Sequence, residues 1–193
     1  MAAYGIMNAH LVLPAPAQKL ARKLFIPCLL LSVFCSWLFS CAGSRLLRPI
    51  DETGLQEALK RANGKVVLLN FWATWCAPCV EEFPDLVKIA REFRPRGLEI
   101  ILVSIDDQEE IDKKAGPFLQ MQGVTFRTYF KKTRDDEAFI NAIDKKWSGA
   151  IPATFIYDRN GQLVKNFIAQ QNYKTFAEAL QPLLPTASDS PSH

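Results

Sequence analysis

Cys76-Ala77-Pro78-Cys79 follows directly on the run Val66-Val67-Leu68-Leu69-Asn70-Phe71-Trp72 and leads into a helical pattern. No other stretch constrains the chain as tightly. A short, nearly continuous apolar run of this kind suits a strand buried on both faces. Leu86, Ile89, Ala90 and Phe93 then recur at helical spacing. The two thiols are thus set at a strand-to-helix junction, three positions apart, where a disulfide can open and close within one helical turn. A strand followed by such a pair reads as a redox motif.

The flanking pattern supplies the rest of a single α/β domain. Arg45 to Ile50 is a short connector or edge strand, and Leu55, Ala58, Leu59 and Ala62 mark a helix stopped by Asn63-Gly64. Leu98 to Ile105 is a second buried strand, closed by Asp106-Asp107. Ile111, Ala115, Phe118 and Leu119 predict a helix interrupted near Gly116-Pro117, and Val124 to Phe130 a short strand. Phe126 to Ser148 is rich in charge, with a small helix carrying Phe139, Ala142, Ile143 and Trp147; it reads as a segment that sets partner choice or as a solvated excursion, the second being favoured. Ala153 to Tyr157 and Gln162 to Ile168 flank Asp158-Arg159-Asn160-Gly161, a strong hairpin signal. Phe176, Leu180, Leu183 and Leu184 form the apolar face of a closing helix. Alternating strands and helices that end in a hairpin and a helix imply a central mixed sheet with helices on both faces.

Charge and hydropathy divide the 193 residues further. Lys19, Arg22 and Lys23 are the only charged side chains in the first forty residues, and without them 20 basic residues face 20 acidic ones. The folded part is close to neutral. That argues against nucleic acid as a partner, since such binding rests on neutralising phosphates. The three cations precede the apolar run Leu24 to Phe39, the arrangement of an export signal. Leu38-Phe39-Ser40-Cys41 resembles the bacterial lipoprotein signal, which implies cleavage before Cys41 and lipid attachment to its thiol. The competing reading is an uncleaved anchor, because about 20 apolar residues can span a bilayer. The expected organisation is a signal or anchor over residues 1–40, a tether over 41–50, the domain over 51–185 and a disordered tail over 186–193. Either reading holds the domain on a membrane, exported to the periplasm.

The stretch Phe71-Trp72-Ala73-Thr74-Trp75-Cys76-Ala77-Pro78-Cys79-Val80-Glu81-Glu82-Phe83-Pro84 resembles the thioredoxin superfamily, and within it the exported, membrane-tethered TlpA/ResA-like oxidoreductases. A second motif, Ile151-Pro152-Ala153-Thr154-Phe155-Ile156-Tyr157-Asp158 leading into Asn160-Gly161, supports it. The resemblance covers most of residues 50 to 185 and implies a thioredoxin-like fold. It also implies that Glu82 is a proton acceptor near the thiols, where cytosolic thioredoxins instead keep an Asp at the position of Asn70. By the same resemblance Pro152 is cis and faces the cysteines, and the backbone of Ile151 docks substrate as an added strand. Trp75, abutting Cys76, and Pro78, which restricts the turn, complete the expected substrate-binding set. Pro84 should kink the helix.

Exchange needs a thiolate, and a free Cys with a pKa of about 8.5 is mostly protonated at neutral pH. Cys76, at the helix mouth, lies where unpaired N–H groups and the helix dipole favour an anion. It is expected to be the nucleophile, with Cys79 resolving the mixed disulfide. The redox group is this pair itself, with no further cofactor. A zinc site would need four ligands, but the chain offers no second Cys pair; Cys41 is assigned to acylation, and the histidines are His10 and His193. The reading is a tethered reductase of disulfides in exported proteins, apocytochrome c among the substrates the resemblance implies, recycled by a membrane electron donor. Thiol oxidation or isomerisation, and a redoxin-type peroxidase, are the alternatives. A copper carrier would need wider Cys spacing and a downstream His, and a pure binding module would tolerate loss of both thiols.

Overall fold

The computed structural model describes residues 46–133 and 135–185. The expected signal or anchor (1–40), Cys41 and the tail (186–193) lie outside them. Among the described residues no helix is long and apolar enough to cross a membrane.

Six strands form one sheet: β1 (Leu47–Ile50), β2 (Val66–Trp72), β3 (Leu98–Ser104), β4 (Thr128–Lys131), β5 (Ala153–Tyr157) and β6 (Leu163–Phe167), in the order β1-β4-β3-β2-β5-β6. Pairs β1/β4, β4/β3 and β3/β2 are parallel, while β2/β5 and β5/β6 are antiparallel. The helices are α1 (Glu52–Arg61), α2 (Ala77–Phe93), α3 (Gln108–Glu110), α4 (Gly116–Met121), α5 (Asp136–Asn141) and α6 (Tyr173–Leu180). The sheet therefore begins ahead of residue 51. The stretch assigned to a tether is structured from Leu47 onward, because Leu47 and Ile50 turn inward while Arg48 and Pro49 stay exposed. A proline on an edge strand costs no ladder bond.

Every residue of β2 is buried, and its alternation divides the core. Val66, Leu68 and Trp72 join Phe83, Leu86, Phe93, Phe118 and Phe176 beneath α2, α4 and α6. Val67, Leu69 and Phe71 meet Leu55, Phe139, Trp147 and Phe155 on the opposite face. Each such side chain is worth roughly 1.5–3 kcal/mol when removed from water.

Residues 126–148 are not a solvated excursion. Phe71 packs 4.7 Å from Trp147 and 6.0 Å from Phe139, centroid to centroid, so this segment closes the second face of the sheet. Its helix is shorter than the spacing suggested: α5 ends at Asn141, and Trp147 lies beyond it, its indole N–H donating to Ala150 O at 2.9 Å. The expected interruption near Pro117 takes the form of a π-helical turn over Ile111–Ala115. Widening the preceding turn relieves the clash between a proline ring and the carbonyl four residues back. Of the strand expected from Val124, only Thr128–Lys131 pairs.

Local signals close the elements as their residues dictate. Asp158 Oδ1 accepts the N–H groups of Asn160 and Gln162, and Gly161 takes the positive φ of 76° that the β5–β6 turn requires. Asp51 caps α1, its Oδ1 accepting from Gly54 N–H at 2.7 Å. Asp51→Ala is expected to lower stability by about 1 kcal/mol, read as a lower urea midpoint at unchanged slope. An unchanged midpoint would show the cap to be energetically idle.

Candidate active site

Strand β2 delivers the chain to Trp72, the loop Ala73-Thr74-Trp75 turns it, and Cys76 opens α2 as its N-cap. Cys76 Sγ accepts from Cys79 N–H at 3.3 Å, the role a serine or aspartate oxygen plays at other helix starts. Pro78 sits in the first turn, where its missing N–H leaves no partner unsatisfied. The two cysteines are joined by a disulfide with Cα atoms 5.2 Å apart. Cys76 is 6% exposed and Cys79 1%, so both are buried and Cys76 is the less so. Beneath them Trp72, Phe83 and Phe118 interlock at centroid distances of 4.7 to 5.2 Å. Helix α2 runs on through Pro84 to Phe93 as one element.

The Ile151–Pro152 bond is cis. Ala153 pairs with Phe71 across β5 and β2. Pro152 and Ile151 immediately precede that pair, at the end of β2 from which the chain runs on to Cys76. Pro152 is buried, and the half-buried Ile151 packs against both core clusters. Trp75 stands 66% exposed. The fold thus gathers Cys76, Cys79, Trp75, Pro78, Ile151 and Pro152 at one end of β2.

Glu82 lies one turn past Cys79 and is 1% exposed, unlike its neighbour Glu81. Its Oε1 accepts from Asn70 Nδ2 at 3.0 Å and its Oε2 from Gln171 N–H at 2.6 Å. Asn70 also donates to Thr154 Oγ1 at 3.0 Å. Burial pushes the Glu82 carboxyl up from 4.5 to about 7; the Gln171 and Asn70 hydrogen bonds oppose the shift and nearby Asp85 adds to it. The segment before α6 is held against α2 by the same row of acids, with Gln170 donating to Glu81 and Tyr173 N–H to Asp85.

Three contributors were not singled out in the sequence. Thr154 was within reach, since it stands opposite Asn70 in the β2/β5 register. Gln171 acts through its backbone, which no side-chain pattern encodes. Asp106, read only as a strand terminator, is buried and binds Thr74 in the loop before Cys76. Among the described residues no group of three or more His, Cys, Asp or Glu side chains is placed to hold a metal ion.

Residues 47–166, which contain this whole strand–disulfide–helix unit and the cis-proline strand, match the AhpC/TSA family. The chain belongs to the AhpC/TSA family. It is 30% identical over 135 residues to the thiol-disulfide oxidoreductase ResA of Bacillus thuringiensis (strain Al Hakam), covering 70% of this chain and 73% of that protein. It is 31% identical over 128 residues to the thioredoxin-like protein YneN of Bacillus subtilis (strain 168), covering 66% and 71%. A thiol:disulfide interchange protein of the thioredoxin family from Chlorobium tepidum TLS has the same fold, with a TM-score of 0.55 at 22% identity over 64% of this chain and 83% of that one. The AhpC/TSA-family domain described here is a thiol–disulfide oxidoreductase of the ResA-like, thioredoxin-fold type.

Proposed function

We propose that the chain is a membrane-tethered reductase that opens disulfides in exported proteins, with Cys76 attacking and Cys79 resolving. The observation that carries this reading is the asymmetry of the pair: Cys76 is the N-cap and the less buried residue, while Cys79 is sealed inside the first turn of the helix. In the reduced enzyme the Cys76 thiolate attacks one sulfur of a substrate disulfide. A mixed disulfide forms, and the other substrate sulfur leaves as a thiolate that takes a proton from solvent. Cys79 then gives its proton to the Glu82 carboxylate and attacks Cys76 Sγ. The second substrate thiolate departs, and the enzyme is left with the Cys76–Cys79 disulfide. Two electrons have passed to the substrate, so a membrane electron donor must return two to close the cycle.

Trp75, Pro78 and Ile151, with Pro152, form the surface on which an extended substrate segment docks. Unfolded polypeptides awaiting covalent modification, such as apocytochrome c before haem attachment, are the substrate class that the family resemblance supports. The cationic cluster Lys19, Arg22 and Lys23 ahead of Leu24 to Phe39 supports export, and Cys41 supports a lipid tether that holds the domain on the periplasmic side.

Cys79→Ser tests the assignment directly. This variant should accumulate stable mixed disulfides through Cys76, which gel shift and mass spectrometry would identify, whereas Cys76→Ser should not. Trapping through position 79 instead would reverse the roles. The reduction potential of the pair decides the direction of electron flow. A value near or below that of the glutathione pool supports reduction, and one near roughly −120 mV means the enzyme oxidises thiols instead.

A further inference from the structure

Asp106 is a buried carboxylate that the exchange steps do not use. It is 3% exposed, and the ion pairs among the described residues do not include it. Its oxygens accept from Thr74 N–H at 3.0 and 3.1 Å, from the Thr74 hydroxyl at 2.6 Å and from the Ser104 hydroxyl at 2.7 Å. Ser104 Oγ in turn accepts from Asp106 N–H at 3.0 Å. A carboxylate has about four acceptor positions, and neutral donors fill them here. Burying a charge is costly even with Lys114 near enough to feel it without pairing directly, and a packed apolar side chain could fill the space as well. What a carboxylate adds at this place is geometry.

That geometry concerns one residue. Thr74 is clasped by Asp106, and Cys76 is held by its N–H bond to Ala73 O at 3.2 Å and by the helix it opens. Trp75 lies between these two fixed points in the chain and is 66% exposed. Exposed tryptophans are strong docking anchors, and anchors already ordered cost less to bind. A loop tied to the end of β3 by these bonds holds the Trp75 backbone, and so the place from which the indole projects, next to Cys76 in the chain.

We propose that Asp106, with Ser104 behind it, is a positioning residue that presets Trp75 as the docking surface for protein disulfides. This rests on the reductase reading above and adds to it the element that sets preference for polypeptide over small-molecule disulfides.

The test compares two substrates on the intact, reduced chain. Asp106→Ala should raise KM for insulin about tenfold with little change in kcat, because a displaced docking group weakens binding rather than exchange. Its rate with 2-hydroxyethyl disulfide, which is too small to use Trp75, should stay within about twofold. Thr74→Val keeps the backbone bond and loses only the hydroxyl bond, so it should give a rise of about threefold, and Thr74→Ser should restore the wild-type KM. Trp75→Ala should raise KM as Asp106→Ala does, and combining the two should add less than about twofold, since both remove one device. Should Asp106→Ala fail to fold, the Thr74 pair decides alone. Equal slowing with both substrates, additive effects with Trp75→Ala, or an unchanged KM in a folded variant would overturn the clasp. A wild-type protein that turns over neither disulfide would instead refute the reductase reading, and the clasp would fall with it.

Discussion

Cys76→Ser is expected to reduce insulin no faster than the added reductant does by itself, while folding as well as the reduced wild-type protein. The loss follows from the nucleophile. A serine hydroxyl is protonated at neutral pH and does not attack disulfides, whereas a thiol at a helix N-terminus is partly ionised there. Retention of the fold follows from the cap. Cys76 Sγ accepts from Cys79 N–H, and serine is among the preferred residues for that bond, so α2 keeps its first turn. The comparison must be made with the reduced protein, because the variant also lacks the cross-link that constrains the oxidised chain. Alkylation supplies the complementary measurement. At pH 7 the reduced wild-type chain should react faster than free cysteine, and this fast phase should vanish in Cys76→Ser and persist in Cys79→Ser. Turnover by Cys76→Ser at the wild-type rate would remove the basis of the assignment, since Cys79, a residue only 1% exposed, would then have to meet the protein substrate by itself.

The redox pair was legible because its signal is local. A continuous apolar strand, two thiols at a fixed spacing and a helical stripe lie within thirty consecutive residues, and each constrains the next. The β5–β6 turn was legible for the same reason, Asp158 and Gly161 carrying their own hydrogen bonds and dihedral. Contacts made by distant segments were not. Leu47–Ile50 has four residues of weak pattern and becomes a strand only because Thr128–Lys131 arrives to pair with it. Trp147 looked like part of a solvated segment, since its partner Phe71 lies on a strand remote in sequence. Asp106 looked like a turn residue because solvated aspartates end many strands; only the approach of Thr74 makes it a clasp. Glu82 and Glu81 are adjacent and chemically identical, and helix phase alone separates the buried one from the exposed one. The family resemblance singled out Glu82, but the Gln171 N–H that orients it belongs to a loop 89 positions away.

Glu82→Gln should make the protein more stable and less active at the same pH. The carboxyl titrates near 4.5 when exposed and at about 7 in the folded chain, where burial is the main cause. Below pH 4.5 both states hold the proton and nothing is gained or lost. Between 4.5 and 7 the unfolded chain releases the proton while the folded chain keeps it, so the folded state binds more protons and stability declines as pH rises. Above 7 the decline is complete. A shift of this size corresponds to about 3 kcal/mol at most, and a neutral amide escapes it. Glutamine also fits the hydrogen bonds. Reversing the Asn70 amide would let Oδ1 accept from the new side-chain N–H and from the Thr154 hydroxyl, while the glutamine oxygen keeps the Gln171 bond; the reversed Asn70 NH2 then takes the buried place where Oδ1 had no partner, which offsets part of the gain. Urea unfolding of the oxidised proteins should show the variant ahead of wild type at pH 8 and level with it near pH 4. Activity should move the other way. If Glu82 takes the Cys79 proton, the wild-type rate gains a limb with a midpoint near pH 7, and the variant should lose that limb and run slower by on the order of a hundredfold at pH 8. A variant that gains stability but keeps the wild-type pH–rate profile would identify Glu82 as a buried charge tolerated for packing, with the Cys79 proton leaving by another route.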